Sequence, residues 1–169
     1  MRTVIIIAAA ALLLAAAAAL FIPWKESAVF ISSETGKLAA YHPLEERTLK
    51  IRYTHSIHLS DVVETYEVTE DLDLRMTELE YEDFAIGMPA NAGKGEVFVE
   101  KDGKYFIKNM DRVIPGFTLF IGDIDLELSL LAGRHVYNLK SVLERGESYL
   151  FRIEKLSWFD LVKGVELHE

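Results

Sequence analysis

The sequence predicts an all-β domain, a mainly antiparallel sandwich or barrel-like body, carried behind an N-terminal transmembrane helix or signal segment. Three observations predict it. The chain opens on one unbroken apolar run, continues as short apolar runs separated by turn residues at fairly even spacing, and alternates apolar with polar residues within several of those runs. Val4 to Ile22 is 19 consecutive apolar residues, nine of them alanine. As a helix it would extend about 28 Å, close to the hydrocarbon thickness of a bilayer. Ala17, Ala18 and Ala19 also offer the small residues a signal peptidase needs, so a retained anchor and a cleaved leader are both open. Arg2 and the amino terminus, set against Lys25 and Glu26, bias the N-terminus to the cytoplasm and the body to the outside. The division expected is therefore 1–24 as membrane segment and 25–169 as an extracytoplasmic domain.

All 27 acids but only 17 of the 18 bases lie in that body, for a net charge of 17 − 27 = −10. Such a surface does not neutralise phosphates, which argues against nucleic acid as a partner. The absence of cysteine excludes disulfides, thiolate metal sites, a cysteine nucleophile and a lipid-modified cysteine.

Ala28 to Ser33 and Lys37 to His42 read as a hairpin about Glu34, Thr35 and Gly36. Val97 to Lys101 and Lys104 to Lys108 read as another, because Asp102 and Gly103 suit a two-residue type I′ turn. Strands are expected at Phe117 to Ile121, Asp125 to Leu130, Arg134 to Leu139 and Ser148 to Leu156. A short helix capped by Ser157 should follow, with Trp158, Phe159, Leu161 and Val162 mostly docked. In Leu72 to Phe84 the apolar positions switch from even to odd, which a bulge near Thr77 and Glu78, or alternatively a helical turn, would accommodate. Ile86 to Gly95, with Gly87, Pro89 and Gly93, reads as a functional or covering loop.

Thr48 to Thr69 carries the candidate site. Leu49, Ile51, Tyr53, His55 and Ile57 form one inward row, and Val62, Glu64, Tyr66 and Val68 another. A four-residue loop from His58 to Asp61 would oppose Ile57 with Val62, His55 with Glu64, Tyr53 with Tyr66 and Ile51 with Val68. The expectation is an imidazole–carboxylate pair, either fixing strand register or shaping a pocket with Tyr53, Ser56 and Tyr66 for a small polar or anionic ligand. Ser56 faces away from His55 in a regular strand, which makes it a poor nucleophile. His55 and His58 spell HxxH, so a metal held by His55, His58 and His135 is the lesser alternative. His42, His135 and His168 taken singly read as ordinary surface or partly buried histidines. Asp61 to Asp83 holds ten acids against Arg75 alone, the pattern of a solvated face without EF-hand spacing. No glycine-rich phosphate loop, GxSxG elbow or HExxH helix occurs, no cofactor is implied, and enzyme chemistry has little support.

At Tyr53, Thr54, His55 and Ser56, then Val62, Glu64 and Tyr66, and onward through Phe84, Gly87, Met88 and Pro89, the chain resembles the bacterial domain of unknown function 1850 family. It departs from that pattern at His58, where a glutamate is common, and at Asp61, where a proline is common. The resemblance implies a small exported or membrane-anchored protein associated with TRAP transporters of the TAXI type. The Thr48 to Thr69 hairpin and the Ile86 to Gly95 loop together make Tyr53, His55, Ser56, Glu64, Tyr66, Gly87 and Pro89 the candidate ligand-binding residues. The partners expected are the cytoplasmic membrane, TRAP transporter subunits and the small ligand. A metal-assisted hydrolase and a structural interaction module are the competing functions.

Overall fold

The computed structural model describes residues 1–82, 89 and 91–168. The apolar run forms α1 (Arg2–Ala19), which buries none of its residues against the body. Among the described residues it is the one helix long and apolar enough to cross a membrane.

The body is an all-β domain of two sheets. One has five strands in the order β12-β2-β1-β11-β8: β1 (Lys25–Ser32), β2 (Leu38–Pro43), β8 (Phe117–Phe120), β11 (Ser148–Leu156) and the short β12 (Val165–Glu166). The other has seven in the order β10-β9-β3-β4-β5-β7-β6: β3 (Thr48–Thr54), β4 (Asp61–Val68), β5 (Leu74–Tyr81), β6 (Val97–Lys101), β7 (Lys104–Ile114), β9 (Leu128–Ala132) and β10 (His135–Asn138). Every pairing is antiparallel except that of β12 with β2. The main core joins Ala28, Phe30, Phe151 and Ile153 of the first sheet to Leu49, Ile51, Tyr66 and Leu130 of the second. Inward alternation on both sheets thus builds one sandwich interior, as binary patterning requires.

Local chemistry accounts for most of the elements. Asp102 and Gly103 both sit at positive φ, 54° and 77°, the paired left-handed geometry of a type I′ turn, and they join β6 to β7 as expected. The phase switch in β5 is a bulge: β4 pairs Thr65 with Glu78 and Tyr66 with Met76, leaving Thr77 unmatched. The Thr77 hydroxyl donates to the Thr65 carbonyl at 3.3 Å, so the extra residue is held by its neighbouring strand. Ser157 caps α2 (Trp158–Lys163) in a reciprocal capping box with Asp160.

Three expectations need correction. Asp125 to Glu127 are not part of β9, which starts at Leu128. The Lys140 ammonium donates to the Ile124 carbonyl at 2.6 Å and Arg145 pairs with Asp125 at 2.7 Å, so these residues are pinned as loop. Trp158, Phe159 and Val162 of α2 are not docked on the core but exposed, and only Leu161 packs inward. The third is the β3–β4 register, which differs from the expected one by an even slip.

Gly116 decides how the chain leaves one sheet for the other. At φ +155°, a Cβ placed there would stand 2.6 Å from the Phe151 carbonyl oxygen and 2.8 Å from the Arg152 Cβ. Only glycine lets β8 lie this close to β11, and that approach brings Phe117 over the interior.

Candidate functional site

The chain turns earlier after β3 than apolar matching predicts. His55 N–H donates to the Ser60 carbonyl at 2.8 Å and Leu59 N–H to the His55 carbonyl at 2.9 Å, closing a turn with Leu59 at φ 55°. Consequently Tyr53 faces Val62, Ile51 faces Glu64 and Leu49 faces Tyr66. Paired residue numbers sum to 115 where 119 was expected. The slip of four is even, so each side chain keeps its face while its partner moves along by about 13 Å of strand. The expected His55–Glu64 pairing is therefore overturned. Register is set by the whole sheet: β3 is also locked to β9, Ile51 opposite Leu130, and β4 to β5 across the Thr77 bulge. Ile57 consequently lies in the turn, 63% exposed, and not opposite Val62.

Glu64 finds two other partners. Tyr66 donates its hydroxyl to Glu64 Oε2 at 2.6 Å, and Tyr53 donates to Oε1 at 3.3 Å. Burial first, then the adjacent carboxylate and its hydrogen bond, push both phenols well above their ordinary 10.0, which keeps them protonated as donors. Tyr66 in turn stacks on Phe117 with ring centroids 5.4 Å apart. Among the described residues no hydrogen bond joins Glu64 to His55, whose Nδ1 instead accepts from Ile57 N–H at 3.4 Å. That bond occupies the nitrogen nearest the turn, and the neighbouring Ser56 is exposed.

Tyr53, His55, Ser56 and Glu64 nevertheless line one cleft of about 500 Å³ that opens between the sheets. Its apolar walls are Ile51 and Leu128 on one side and Phe117, Leu119 and Phe120 on the other, with Thr54, Ile124, Leu126, Glu127 and Lys140 toward the loops. Arg52 binds Glu127 at 2.7 Å through Nε, and Ser129 donates to the same carboxylate at 3.1 Å, fixing the loop that forms one lip. The arrangement is a mostly apolar slot with a carboxylate acceptor set among aromatic rings, which is the general form of a small-molecule site.

The remaining candidates lie elsewhere. Pro89 accepts a hydrogen bond from Tyr81, which belongs to a second cluster with Val62, Leu79, Ile107 and Met110. Gly87, with Phe84, Ile86 and Met88, lies outside the described residues. His55 and His58 stand side by side with centroids 5.9 Å apart, whereas His135 lines a separate cavity of about 210 Å³ with His42, Glu45, Glu46, Arg134 and Tyr137. Among the described residues no three His, Cys, Asp or Glu side chains converge as a metal-binding group. Sequence reasoning missed the wall from β8 and the loop after it. Alternation at Phe117 and Leu119 marks a buried face, but nothing local says that this face opposes Glu64 from the other sheet.

The family model described as Domain of unknown function (DUF1850) matches residues 49–139, which includes all of β3 but Thr48, together with β4, β8 and the cleft loop. No curated protein and no solved structure matches the chain.

Proposed function

We propose that this chain, which belongs to the domain of unknown function 1850 family, is a membrane-anchored ligand-binding domain that takes a small amphipathic molecule between its sheets. The observation that carries the reading is Glu64 facing a cleft of about 500 Å³ with two tyrosine hydroxyls already on it. A carboxylate has about four lone-pair sites, and the two phenols use half of them. The rest favour a ligand head that donates hydrogen bonds, while Phe117, Leu119 and Leu128 receive an apolar body. Of the polar and anionic ligands that the sequence leaves open, the polar donor fits Glu64. An anionic head would meet its repulsion.

In this reading α1 is retained as a single-pass anchor, the body faces away from the cytoplasm, and the domain serves solute uptake beside a TAXI-type TRAP transporter, as the family resemblance implies. His55 and Ser56 contribute the outer lip and Lys140 the opposite one. The test is native mass spectrometry of the full-length protein purified from its own membrane, with thermal-shift titration of alkylammonium and alkylcarboxylate compounds of matched chain length. Binding of the ammonium series, lost in Glu64→Gln while circular dichroism is unchanged, supports the reading. Equal binding to wild type and Glu64→Gln overturns it.

A further inference from the structure

The C-terminal end of α1 is joined to α2 rather than simply preceding the body. Phe159 N–H donates to the Leu20 carbonyl at 3.2 Å, and Trp24 N–H donates to the Leu156 carbonyl at 3.0 Å. Ring contacts parallel these bonds: Phe21 and Phe159 have centroids 4.8 Å apart, and Trp24 and Trp158 5.0 Å apart. Four aromatic rings from two separate parts of the chain thus form one cluster at the point where an inserted α1 would leave the hydrocarbon.

The outer side of this cluster is uncovered. Trp158 is 52% exposed, Phe159 41% and Val162 85%, although α2 has an apolar interior to pack against and places Leu161 there, on Val29, Tyr41 and Leu156. Its one acid is turned into the cap, where Asp160 accepts from Ser157 N–H at 2.9 Å, and the cap holds its carboxyl below the usual range. Lys163 stands 4.1 Å over the Phe159 ring, so its ammonium lies at the edge of the apolar face. Large rings, an aliphatic tip and a peripheral lysine are the composition of a surface that sits at lipid headgroup depth.

We propose that α2 together with residues 20–24 is a membrane-surface foot, with Trp158, Phe159 and Val162 entering the headgroup region of the bilayer that α1 addresses. A lipid surface is favoured over a protein partner by continuity with α1, whose C-cap residue Leu20 gives its carbonyl to Phe159 N–H. The whole chain carries a formal charge of −9, so attraction to anionic lipid is not the driving force and apolar insertion is.

The chain has two tryptophans, Trp24 and Trp158, which makes the test direct. Full-length Trp24→Phe and Trp158→Phe variants are reconstituted in phosphatidylcholine vesicles containing lipids spin-labelled at shallow or deep acyl positions. In Trp24→Phe, Trp158 emission should shift to the blue and lose more intensity to shallow labels than to deep ones, with the loss unchanged by added salt. Adding Val162→Asp, at a side chain that is 85% exposed, should remove that loss while the far-ultraviolet spectrum stays the same. Quenching of Trp24 by lipid without any quenching of Trp158 overturns the foot and leaves the α1 anchor standing. Lipid quenching of neither overturns both, and protection of Trp158 only by self-association or by another protein overturns the lipid assignment.

Discussion

Two cavities of the body share β3 and handle buried polarity in opposite ways. Leu49 lines the His42 cavity, and Ile51 and Tyr53 line the Glu64 cleft. His42 is buried with its ring 4.7 Å from that of Tyr137, and burial pushes its pKa below the ordinary 6.5, favouring the neutral imidazole. Glu64 is only half-buried, takes two hydroxyl donors and faces open volume more than twice as large. The difference separates a polar group accommodated by packing from one supplied with donors and still facing open volume. The first is complete in the folded chain. The second has acceptor capacity left for a ligand.

The largest expected effect acts on the wall that only the cleft has. Gly116→Ala forces a Cβ against the Phe151 carbonyl, a backbone atom that cannot swing aside. The protein should lose about 3 kcal/mol in urea unfolding, through overpacking and backbone strain together. Because β8 must retreat from β11, ligand binding in the cleft should fall further than the loss of stability explains, while the environment of His42 in NMR spectra stays as it was. Disturbance of the two sites to the same extent would break the comparison.

Next comes the Glu64 trio itself. Tyr66→Phe removes the donor at 2.6 Å and Tyr53→Phe the donor at 3.3 Å. Hydrogen bonds to a charged partner contribute about 1.5–3 kcal/mol, so Tyr66→Phe should cost about 2 kcal/mol in chemical denaturation and Tyr53→Phe clearly less. An identical cost for both would mean that packing of the rings, not their hydroxyls, sets the energetics.

How far this site was legible in the sequence follows from the same residues. Alternation placed Glu64 and Tyr66 inward beside Val62 and Val68, and the faces came out right because side-chain direction along a strand is a local property. Neighbours across the strands are not local. The β3–β4 register depends on β9 and on the Thr77 bulge, so apolar matching of two segments alone paired His55 with Glu64 and Tyr53 with Tyr66, and missed that both tyrosines donate to Glu64. The Asp102–Gly103 hairpin had no such dependence, since the turn residues themselves dictate its geometry. In α2 the Ser157 cap was readable, whereas the outward rings were not, because a helix of six residues has too few turns for periodicity to identify its buried side.

A third effect is read at alkaline pH. Tyr53 and Tyr66 have raised pKa values in the folded state, so the stability this provides is complete below the ordinary 10.0 and is lost as pH rises beyond it, when the unfolded phenols ionise first. Ultraviolet titration should find four tyrosines that ionise above the ordinary 10.0, since burial also raises Tyr41 and Tyr81, with the largest displacement at Tyr53 and Tyr66. Glu64→Gln should bring Tyr53 and Tyr66 part of the way back, since it removes the charge but leaves burial, the larger cause, untouched. A full return to the ordinary value would show that Glu64, not burial, is the dominant cause.

The smallest effect belongs to His42 and runs in the opposite direction on the pH scale. Burial lowers its pKa first; Glu45 and Glu166 act to raise it, and His135 and Lys25 to lower it further. A depressed folded-state value means that the unfolded chain takes up the proton earlier. The stabilising contribution is therefore complete above the ordinary 6.5 and fades as pH falls through and below it. His42→Gln should flatten the fall in unfolding free energy just below that pH, leaving the steeper loss at lower pH where carboxylates protonate. Because His42 lies outside the Glu64 cleft, the same variant should leave ligand affinity in the cleft unchanged at neutral pH. A change there would mean that β3 couples the two cavities, so that the packed site and the open one act as a single unit.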